Sequence, residues 1–472
     1  MGVAALPRFF GRAGMAMLLA GLTGFGVLMA GGVAGLAAAR ALRLGGVDDF
    51  ALLELEDQAG GNARAGLMGG LACPLGAHYL PLPTNDAPEV QDLLEELGLR
   101  QRVSGRWRYD ERSLCHSPQE RLFWQGAWHE GLLPVDGVAP RTLEQYELFA
   151  RSVAQEMDRA PFAMPSIRVW QRQGRLPAAH AALDGQTMQA WLASQGIDDA
   201  QLIWYLEYCC RDDFGAGLAR VSAWAGIHYF ASRHGFSAPR RQDERAAEEA
   251  GDAVLTWPQG NGWLSQQLVA GLGSTDLQTD CSVLSIVEGA DGVEIDAYHH
   301  GRQQHERWLA ARCVVALPSF IAARVVRDAP DFLRAVAGRL DWAPWLVANI
   351  HLQRPLADRP GADPAWDNVL FADPNAGGLG YVDAGHQGLD RLTPRPTVLS
   401  YYQALGDWPD GRAQLLGQPF GFWRDRIVGS LLVPHPDLLH KARRLRFGHR
   451  LGKVEVLFRQ QHAHALGLEL QN

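Results

Sequence analysis

The sequence predicts an α/β fold that begins with a Rossmann-like dinucleotide-binding unit. Three observations support this prediction: a short apolar run over 25–29, a glycine-rich turn over 30–35, and an acidic residue, Glu54, at the end of a second apolar run over 47–55. A turn of this kind joins a buried strand to a helix whose N-terminus faces a pyrophosphate. We therefore expect a dinucleotide to bind at the glycine-rich turn over 30–35.

Each residue of the turn has its own expected role. Gly31 and Gly32 let the backbone approach the phosphates, and Gly35 lets the helix pack closely on the sheet. Ala30 stands where the usual G-x-G-x-x-G motif has its first glycine, and the turn should tolerate alanine there only if its φ angle stays negative. Glu54 lies where the motif places the acceptor for the ribose 2′-hydroxyl.

A membrane helix is the alternative interpretation of this stretch. Residues 13–39 carry no charge and lie between Arg12 and Arg40, as in a spanning segment. The many glycines and the acidic Glu54 favour the nucleotide-binding turn instead.

The first 24 residues form an apolar leader of uncertain role. Arg8 and Arg12 precede an apolar run over 15–22, as in an export signal, but no convincing cleavage site follows. Residues 8–24 could therefore attach the protein to a membrane or direct its export, or the leader is retained in a cytoplasmic protein.

Composition indicates a globular protein that does not bind nucleic acid. The chain has 472 residues, 47% of them hydrophobic, and 15 Trp, which is enough for a large core and two or three domains. Its net charge of −8, its pI near 6.1 and the absence of a basic block provide no field that would attract nucleic acid.

Cysteine, lysine and histidine usage limits the chemistry further. The cysteines form no C-x-x-C pair, so buried thiols are favoured over metal ligands. The only lysines are Lys441 and Lys453, which excludes any mechanism that needs an earlier lysine. His462 and His464 could bind a metal, but a solvated tail is the favoured interpretation, and no metal site is expected.

A second glycine pair distinguishes flavin binding from nicotinamide binding. Gly60 and Gly61 follow Glu54 with a spacing of Glu-x5-Gly-Gly. A nicotinamide dehydrogenase has no need of this doublet, whereas a flavin domain wraps the loop around the phosphates of FAD. The motif resembles that of the flavin-containing amine oxidase family, which usually has Arg directly after the doublet; here Asn62 follows, and Arg64 comes two residues later.

Three further segments carry the resemblance and imply positions for the cofactor. Residues 74–79 are similar to the family segment whose backbone passes the flavin ring, so Gly76, Ala77, His78 and Tyr79 should lie near the isoalloxazine. A satisfied buried histidine is an equally good interpretation of His78. Residues 257–264 resemble the run that returns the chain to the flavin domain, and Val283 matches the position whose backbone meets the adenine.

The periodicity predicts the remaining elements in order. The predicted helices and strands are a helix over 88–98 that ends at Gly98, a mainly helical stretch over 100–255, a helix over 264–272, strands over 277–286, 292–299 and 311–318, and strands over 345–352, 366–371, 379–383 and 397–402. In the helical stretch Trp224 and His228 share a face, and core packing is favoured over a substrate role for this aromatic stripe, which includes Tyr229. In the last strand only one of Tyr401 and Tyr402 can face the flavin.

The resemblance covers about residues 25–450 and implies a discontinuous domain organisation, that of an amine oxidase-like fold. The predicted segments are a leader (1–24), the first part of the FAD-binding domain (25–100), a mainly helical substrate-domain insertion (101–255), the second part of the FAD-binding domain (256–330), the substrate-domain sheet (331–430) and an atypical C-terminal segment (431–472). That last segment lacks the Gly-Asp or Gly-Glu turn and the glycine-containing helix that cover the flavin in the family; Gly406 and Asp407 have the dipeptide, but Trp408 and Pro409 follow.

The resemblance implies an FAD-dependent oxidoreductase that removes a hydride equivalent from an amine-like small molecule, with O2 or another acceptor taking the electrons. No residue is assigned to catalysis. The lack of an early lysine raises an alternative, desaturation or isomerisation of a lipid or terpenoid-like substrate, because many amine oxidases hold a water near the flavin with a lysine. A nicotinamide-dependent dehydrogenase, and a non-catalytic or membrane-associated relative with an impaired FAD site, are the other hypotheses.

Overall fold

A computed structural model describes residues 26–239, 253–273, 276–357, 359–371, 373, 377–388, 395–438 and the strand over 456–460. The leader over 1–24, both lysines, His462 and His464 lie outside these residues. None of the helices in the described ranges combines the length and the apolar character needed to cross a bilayer.

The strands, numbered in chain order, are β1 (Gly26–Met29), β2 (Phe50–Leu53), β3 (Ala65–Met68), β4 (Leu71–Pro74), β5 (Tyr79–Pro81), β6 (Arg100–Val103), β7 (Arg106–Tyr109), β8 (Glu120–Trp124), β9 (Ala127–Glu130), β10 (Val254–Thr256), β11 (Leu277–Gln278), β12 (Cys281–Gly289), β13 (Gly292–His299), β14 (Gln304–Ala310), β15 (Arg312–Val315), β16 (Trp345–Leu352), β17 (Asp367–Leu370), β18 (Gly378–Asp383), β19 (Thr397–Ala404) and β20 (Val456–Gln460).

The helices are α1 (Val33–Leu44), α2 (Pro88–Glu96), α3 (Pro140–Arg159), α4 (Ile167–Gln173), α5 (Ala178–Asp184), α6 (Met188–Ser194), α7 (Ala200–Phe214), α8 (Ala223–Ala231), α9 (Gly262–Ala270), α10 (Ser319–Val325), α11 (Asp331–Arg339), α12 (Gly411–Gly417) and α13 (Phe420–Leu432), with short 3-10 turns at Gly61–Ala63 and Ala384–Gln387.

A parallel sheet with the order β11-β2-β1-β15 forms the first layer. β1 and β2 are almost wholly buried, as expected for parallel strands covered on both faces. Helix α1 packs on one face through Leu36, Ala39 and Leu42, and the antiparallel sheet β12-β13-β14 packs on the other. The dinucleotide turn therefore lies at the carboxyl ends of β1 and β2, where open α/β sheets bind their ligands.

A seven-stranded sheet with the order β20-β16-β19-β18-β17-β8-β9 forms the second layer. Its pairings are antiparallel except for β17 with β8. Helices α3 and α5 to α8 share with this sheet one apolar core, which includes Phe149, Trp191, Val347 and Tyr402. The arrangement confirms the predicted α/β fold, in which a parallel nucleotide-binding sheet adjoins a mixed α+β unit.

Residues 100–130 and strand β14 are among the stretches that differ from the sequence-based description. Helices α3 to α8 provide most of the regular structure in the predicted helical stretch, but residues 100–130 form β6 to β9, and only β8 and β9 join the large sheet. The hairpin of β6 and β7 is largely exposed and rich in arginine, so it shows no apolar alternation. Strand β14 was not predicted either, because its exposed residues alternate with few apolar ones. The domain boundaries themselves stay a prediction.

The membrane-helix interpretation of residues 13–39 is wrong for the described part, because strand β1, the turn and helix α1 occupy 26–44. The helix over 264–272 is found as α9, and the strands predicted over 345–402 are found as β16 to β19. Gly98 follows the end of α2 with a φ of +71°, the left-handed conformation that the predicted helix end needs.

Candidate functional site

The turn after β1 has the tight geometry that a dinucleotide requires, but the expectation for Ala30 is wrong. Ala30 has a φ of +81°, in the left-handed region, because the chain must turn sharply to start α1. A Cβ on Gly35 would lie 1.7 Å from the carbonyl oxygen of Ala30. Glycine at position 35 is therefore required for the helix to pack against the turn.

The N-terminus of α1 is open to an anion. Its capping residue, Gly32, offers no side-chain hydrogen bond, and the first turn holds no acidic residue. A Cβ on Gly32 would meet no heavy atom within 4 Å, and Val33 is 51% exposed. The free amide groups at this end of the helix and the space before them fit a pyrophosphate.

The two glycine pairs lie against each other. The Gly60 amide donates to the Gly31 carbonyl at 2.6 Å, and a Cβ on Gly61 would lie 3.2 Å from the Gly32 Cα. Gly60 and Gly61 have φ angles of +121° and +55°, which side-chain-bearing residues rarely adopt. The structure thus brings together the two motifs that the sequence separates by nearly thirty residues, on the side where the cofactor phosphates are expected.

Glu54 is buried beneath the turn. Its Oε2 accepts a hydrogen bond from the Gly31 amide at 2.6 Å, and its Oε1 accepts one from the Glu56 amide at 2.9 Å. Burial raises the pKa of Glu54 above its ordinary value, while these two bonds and the charge of Arg64 act in the opposite direction. The carboxylate fixes the turn, and its bond to the ribose stays a prediction.

Asn62 and Arg64 connect the doublet to the segment expected beside the flavin. The Asn62 carbonyl accepts a hydrogen bond from the Ala77 amide at 2.9 Å. The Arg64 guanidinium donates to the Gly61 carbonyl at 3.1 Å and forms an ion pair with Glu56 at 3.1 Å. These contacts fix residues 60–64 in place and connect them to residues 76–79.

Four polar side chains hold the backbone of residues 74–79, and of these the sequence indicates only Tyr402, as an alternative to Tyr401. Tyr402 donates to the Gly76 carbonyl at 2.9 Å, Thr256 to that of His78 at 2.7 Å, Asn261 to that of Tyr79 at 2.7 Å, and Asn349 to that of Pro74 at 2.9 Å. They come from the region of β10 and α9 and from strands β16 and β19, so only the tertiary structure reveals them.

Tyr402, and not Tyr401, faces the segment that resembles the flavin-passing one. Tyr401 points to the opposite side of β19, where its hydroxyl donates to Asp373 at 3.2 Å and its ring lies in a separate core with Trp423. This result follows from the alternation of side chains along a strand.

Aromatic rings surround His78. Its ring centroid lies 4.4 Å from that of Tyr402 and 5.3 Å from that of Trp366, and the Tyr79 and Trp366 rings meet edge to face at 6.0 Å. Burial lowers the pKa of His78 to about 4, although a hydrogen bond to the Gly76 backbone acts to raise it. The imidazole is therefore neutral near pH 7. We call the cluster of His78, Tyr79, Trp366 and Tyr402 the aromatic wall.

Two carboxyl groups lie beyond the aromatic wall. The Tyr79 hydroxyl donates to Asp212 at 3.2 Å, and the Tyr208 hydroxyl donates to Asp367 at 3.2 Å. Burial, reinforced by the charge of Asp213, raises the pKa of Asp212 to about 7. Burial, reinforced by the charge of Asp212, raises the pKa of Asp367 well above its ordinary value.

Val283 and His228 belong to other elements of the structure. Val283 is on β12, two residues after Cys281, whose amide donates to the Glu54 carbonyl at 2.8 Å. This placement is compatible with the predicted adenine contact, which stays a prediction. His228 bonds to the Ala163 carbonyl at 2.9 Å and packs on Trp224 at 4.9 Å.

The cysteines are all free thiols, and four of the six are buried; they are Cys73, Cys115, Cys209, Cys210, Cys281 and Cys313. Across the described ranges, no group of three His, Cys, Asp or Glu side chains is arranged to hold a metal ion. The second sheet is mainly antiparallel, so the described chain lacks the second set of βαβ units that the nicotinamide hypothesis requires.

Comparison with known proteins agrees with this geometry. The family model described as flavin containing amine oxidoreductase matches residues 33–408, most of the chain. No curated protein matches by sequence. A wild-type putrescine oxidase bound to putrescine is similar in structure, with a TM-score of 0.63 and 14% identity over 93% of this chain and 85% of that one.

Two other solved structures have similar folds. Cyclohexylamine oxidase from Brevibacterium oxydans gives a TM-score of 0.60 and 16% identity over 93% of this chain and 85% of its own. A fatty acid isomerase from P. acnes gives a TM-score of 0.58 and 14% identity over 94% of this chain and 89% of its own. The family match and the glycine-rich turn with its open helix end lead to one conclusion: this chain belongs to the flavin-containing amine oxidoreductase family and is an FAD-dependent oxidoreductase.

Proposed function

We propose that the protein removes a hydride equivalent from the carbon next to the nitrogen of an amine-like small molecule. The observation that carries the proposal is the aromatic and acidic lining beside residues 76–79: His78, Tyr79, Trp366 and Tyr402 form the wall, and Asp212 lies behind it. Aromatic faces and carboxylates both attract an amine. Bound FAD would supply the hydride acceptor, while the protein positions the substrate.

The residues proposed to hold FAD follow from the contacts described above. Gly31, Gly32 and the doublet would accommodate the phosphates, Glu54 would accept from the ribose, and Val283 would meet the adenine. In the same proposal residues 76–79 would lie along the isoalloxazine, held in place by Tyr402, Thr256 and Asn261.

The protein's own residues have two tasks in this proposal. The aromatic wall excludes water and orients the substrate carbon. His78 stays neutral because its pKa lies near 4, so it does not repel an amine at neutral pH.

Desaturation or isomerisation of a lipid or terpenoid-like substrate is the second candidate. Two observations favour it: the chain has no lysine before Lys441, and the aromatic lining continues from Tyr208 through Trp204 to Phe371, with ring centroids 6.1 and 4.7 Å apart. Asp212 and Asp367 disfavour a fatty acid, because its carboxylate would oppose the ionisation of these two acids, whereas a cation would favour it.

Product analysis separates the two candidates. The purified protein with bound FAD would be incubated in air with alkylamines, arylalkylamines, unsaturated fatty acids and terpenoid alkenes. Amine oxidation gives an imine that hydrolyses to a carbonyl compound and ammonia, with hydrogen peroxide if O2 is the acceptor. Ammonia from at least one amine supports the proposal; a shifted or new double bond, without ammonia from any amine, overturns it in favour of the second candidate.

A further inference from the structure

Asp212 and Asp367 line the same part of the candidate active site from two different elements. Asp212 lies near the end of α7, and Asp367 is the first residue of β17, directly after Trp366. Tyr79 links the first carboxyl group to the segment over 76–79, since its hydroxyl is bonded to Asp212 and its ring touches Trp366. The two acids thus belong to the proposed substrate site and not to the outer surface.

Both carboxyl groups lie below the surface and keep part of their area accessible. Burial is the largest influence on the pKa of each side chain, yet each residue is only partly buried. Tyr208, which bonds Asp367, stacks on Trp204, and Trp204 packs on Phe371, so these rings provide apolar surroundings on one side of the pair.

The charges around the pair leave an acidic excess. The charge of Arg233 acts on Asp212, but its guanidinium forms an ion pair with Asp213 at 3.5 Å and covers the Tyr229 ring at 4.1 Å. The described chain shows no ion pair to Asp212 or Asp367. The other titratable groups that act on the two acids are Glu120, Tyr79, Tyr208, Tyr229 and Tyr402.

An ammonium group of the substrate would complete this arrangement. Two buried acids without a cationic partner hold protons at a cost, and a cation placed between them would favour both ionised carboxylates and would form charge-assisted hydrogen bonds. The distance from residues 76–79 to Asp212 is spanned by one tyrosine side chain, so a second amine could reach the acids while the first lies at the reacting position.

We propose that Asp212 and Asp367 are specificity-determining residues that select substrates with a second cationic group, such as aliphatic diamines. This inference rests on the proposed amine oxidation at the same site. Asp212 and Asp367 bind the remote ammonium of the substrate, and the aromatic wall holds the amine that loses hydride. The remote group takes part in no covalent step.

The first test needs no variant. Wild-type holoenzyme would be assayed with propane-, butane-, pentane- and hexanediamine and with the monoamine of each chain length. The proposal predicts a kcat/KM about 10- to 100-fold higher for the best diamine than for its monoamine, the range given by one charge-assisted hydrogen bond. The advantage should lie in KM, and it should shrink as the pH falls from 8 to 6, because protonation of Asp212 removes its charge.

The second test uses Asp212→Asn and Asp367→Asn, with Asp198→Asn as the matched control because Asp198 lies on the surface, where its side chain is 64% exposed. We expect Asp367→Asn to raise KM for the diamine about tenfold and to leave the monoamine kinetics nearly unchanged, and Asp212→Asn to raise KM for the diamine by a larger factor than KM for the monoamine, whereas Asp198→Asn alters neither. Thermal stabilisation by diamine, measured without turnover, should fall in parallel.

Three outcomes overturn the inference. Equal kcat/KM for diamines and monoamines refutes it while leaving amine oxidation intact. Equal losses with both substrate types in the variants assign the acids a structural role only. Failure of every amine to reduce the bound flavin refutes the proposed function, and this inference falls with it.

Discussion

At the residue scale, the site depends on buried polar side chains whose hydrogen bonds and pKa values are set by their surroundings. Glu54 bonds two backbone amides beneath the dinucleotide turn, and His78 stays neutral among aromatic rings. Asp212, whose pKa burial raises to about 7, is present in both its protonated and its ionised form near neutral pH. Burial sets the protonation state in the last two cases, and each can be tested by a single substitution.

The Glu54→Gln substitution tests the proposed ribose contact. Glutamine keeps the size of the side chain but replaces charge-assisted hydrogen bonds by neutral ones, so we expect the Kd for FAD to rise about tenfold. The measurement is fluorescence titration of the apoprotein with FAD. Asp57→Asn is the matched control, because Asp57 is an exposed carboxylate of the same loop; an equal effect in both variants would refute the assignment.

The Asp212→Asn substitution tests the raised pKa through stability. An unfolded aspartate titrates near 4, whereas folded Asp212 titrates at about 7, so the folded state binds more protons between these values. Wild-type stability should therefore fall as the pH rises from about 4 to about 7, and asparagine removes this loss. We expect the Tm of the variant, relative to wild type, to rise between pH 5 and pH 8.

The control for this experiment is again Asp57→Asn, at an exposed position; the rise in relative Tm should be specific to Asp212→Asn. A pH-independent difference for Asp212→Asn would show that Asp212 titrates like an exposed carboxyl group.

At the element scale, the strand–turn–helix unit over 26–44 is closely packed. β1, the turn and α1 meet so closely that position 35 has no room for a Cβ, and Ala30 is held in a left-handed conformation. Alanine in that region costs about 1 kcal/mol or more relative to its ordinary conformations.

The Ala30→Gly substitution should therefore stabilise the protein. Glycine removes the left-handed strain but increases the freedom of the unfolded chain, which leaves a net gain of about 0.5–1 kcal/mol in the free energy of unfolding. Chemical denaturation checks this value. Ala37→Gly, at an exposed position inside α1, should have the opposite sign, a loss of about 1 kcal/mol. A loss in both variants would contradict the strained geometry of Ala30.

Elements with strong local patterns could be predicted from the sequence. The glycine-rich turn, the glycine doublet and the buried strands β16 and β19 carry apolar runs or required glycines, and the structure contains them. Strands β6, β7 and β14 could not be predicted, because they are exposed and carry charged residues in place of an apolar alternation.

The residues of the candidate site could likewise be predicted only in part from the sequence. The sequence identified Gly76 to Tyr79 through their resemblance to a known segment, but it could not identify the residues that hold that segment. Tyr402 and Gly76 are 326 positions apart, and Tyr79 and Asp212 are 133 apart. Such pairs meet only because two sheets and a helical layer pack together, and no local pattern encodes that packing.

At the scale of the whole molecule, the fold connects the dinucleotide turn to a cluster of aromatic and acidic side chains through one backbone segment. Residues 60–64 contact the turn over 30–35 on one side and the segment over 76–79 on the other. The seven-stranded sheet then supplies three further side chains. Asp367 lies on β17, Trp366 directly precedes that strand, and Tyr402 lies on β19. A substrate bound among these side chains would lie next to the proposed flavin position.

Anaerobic reduction of the bound flavin tests this account most directly. The purified protein would be mixed with a monoamine, a diamine or an unsaturated fatty acid in the absence of O2 while its visible absorption is recorded. The account predicts a yellow protein whose oxidised flavin band bleaches with amines and not with the fatty acid. A protein whose band persists with every amine, or a colourless protein that takes up no added FAD, would contradict it.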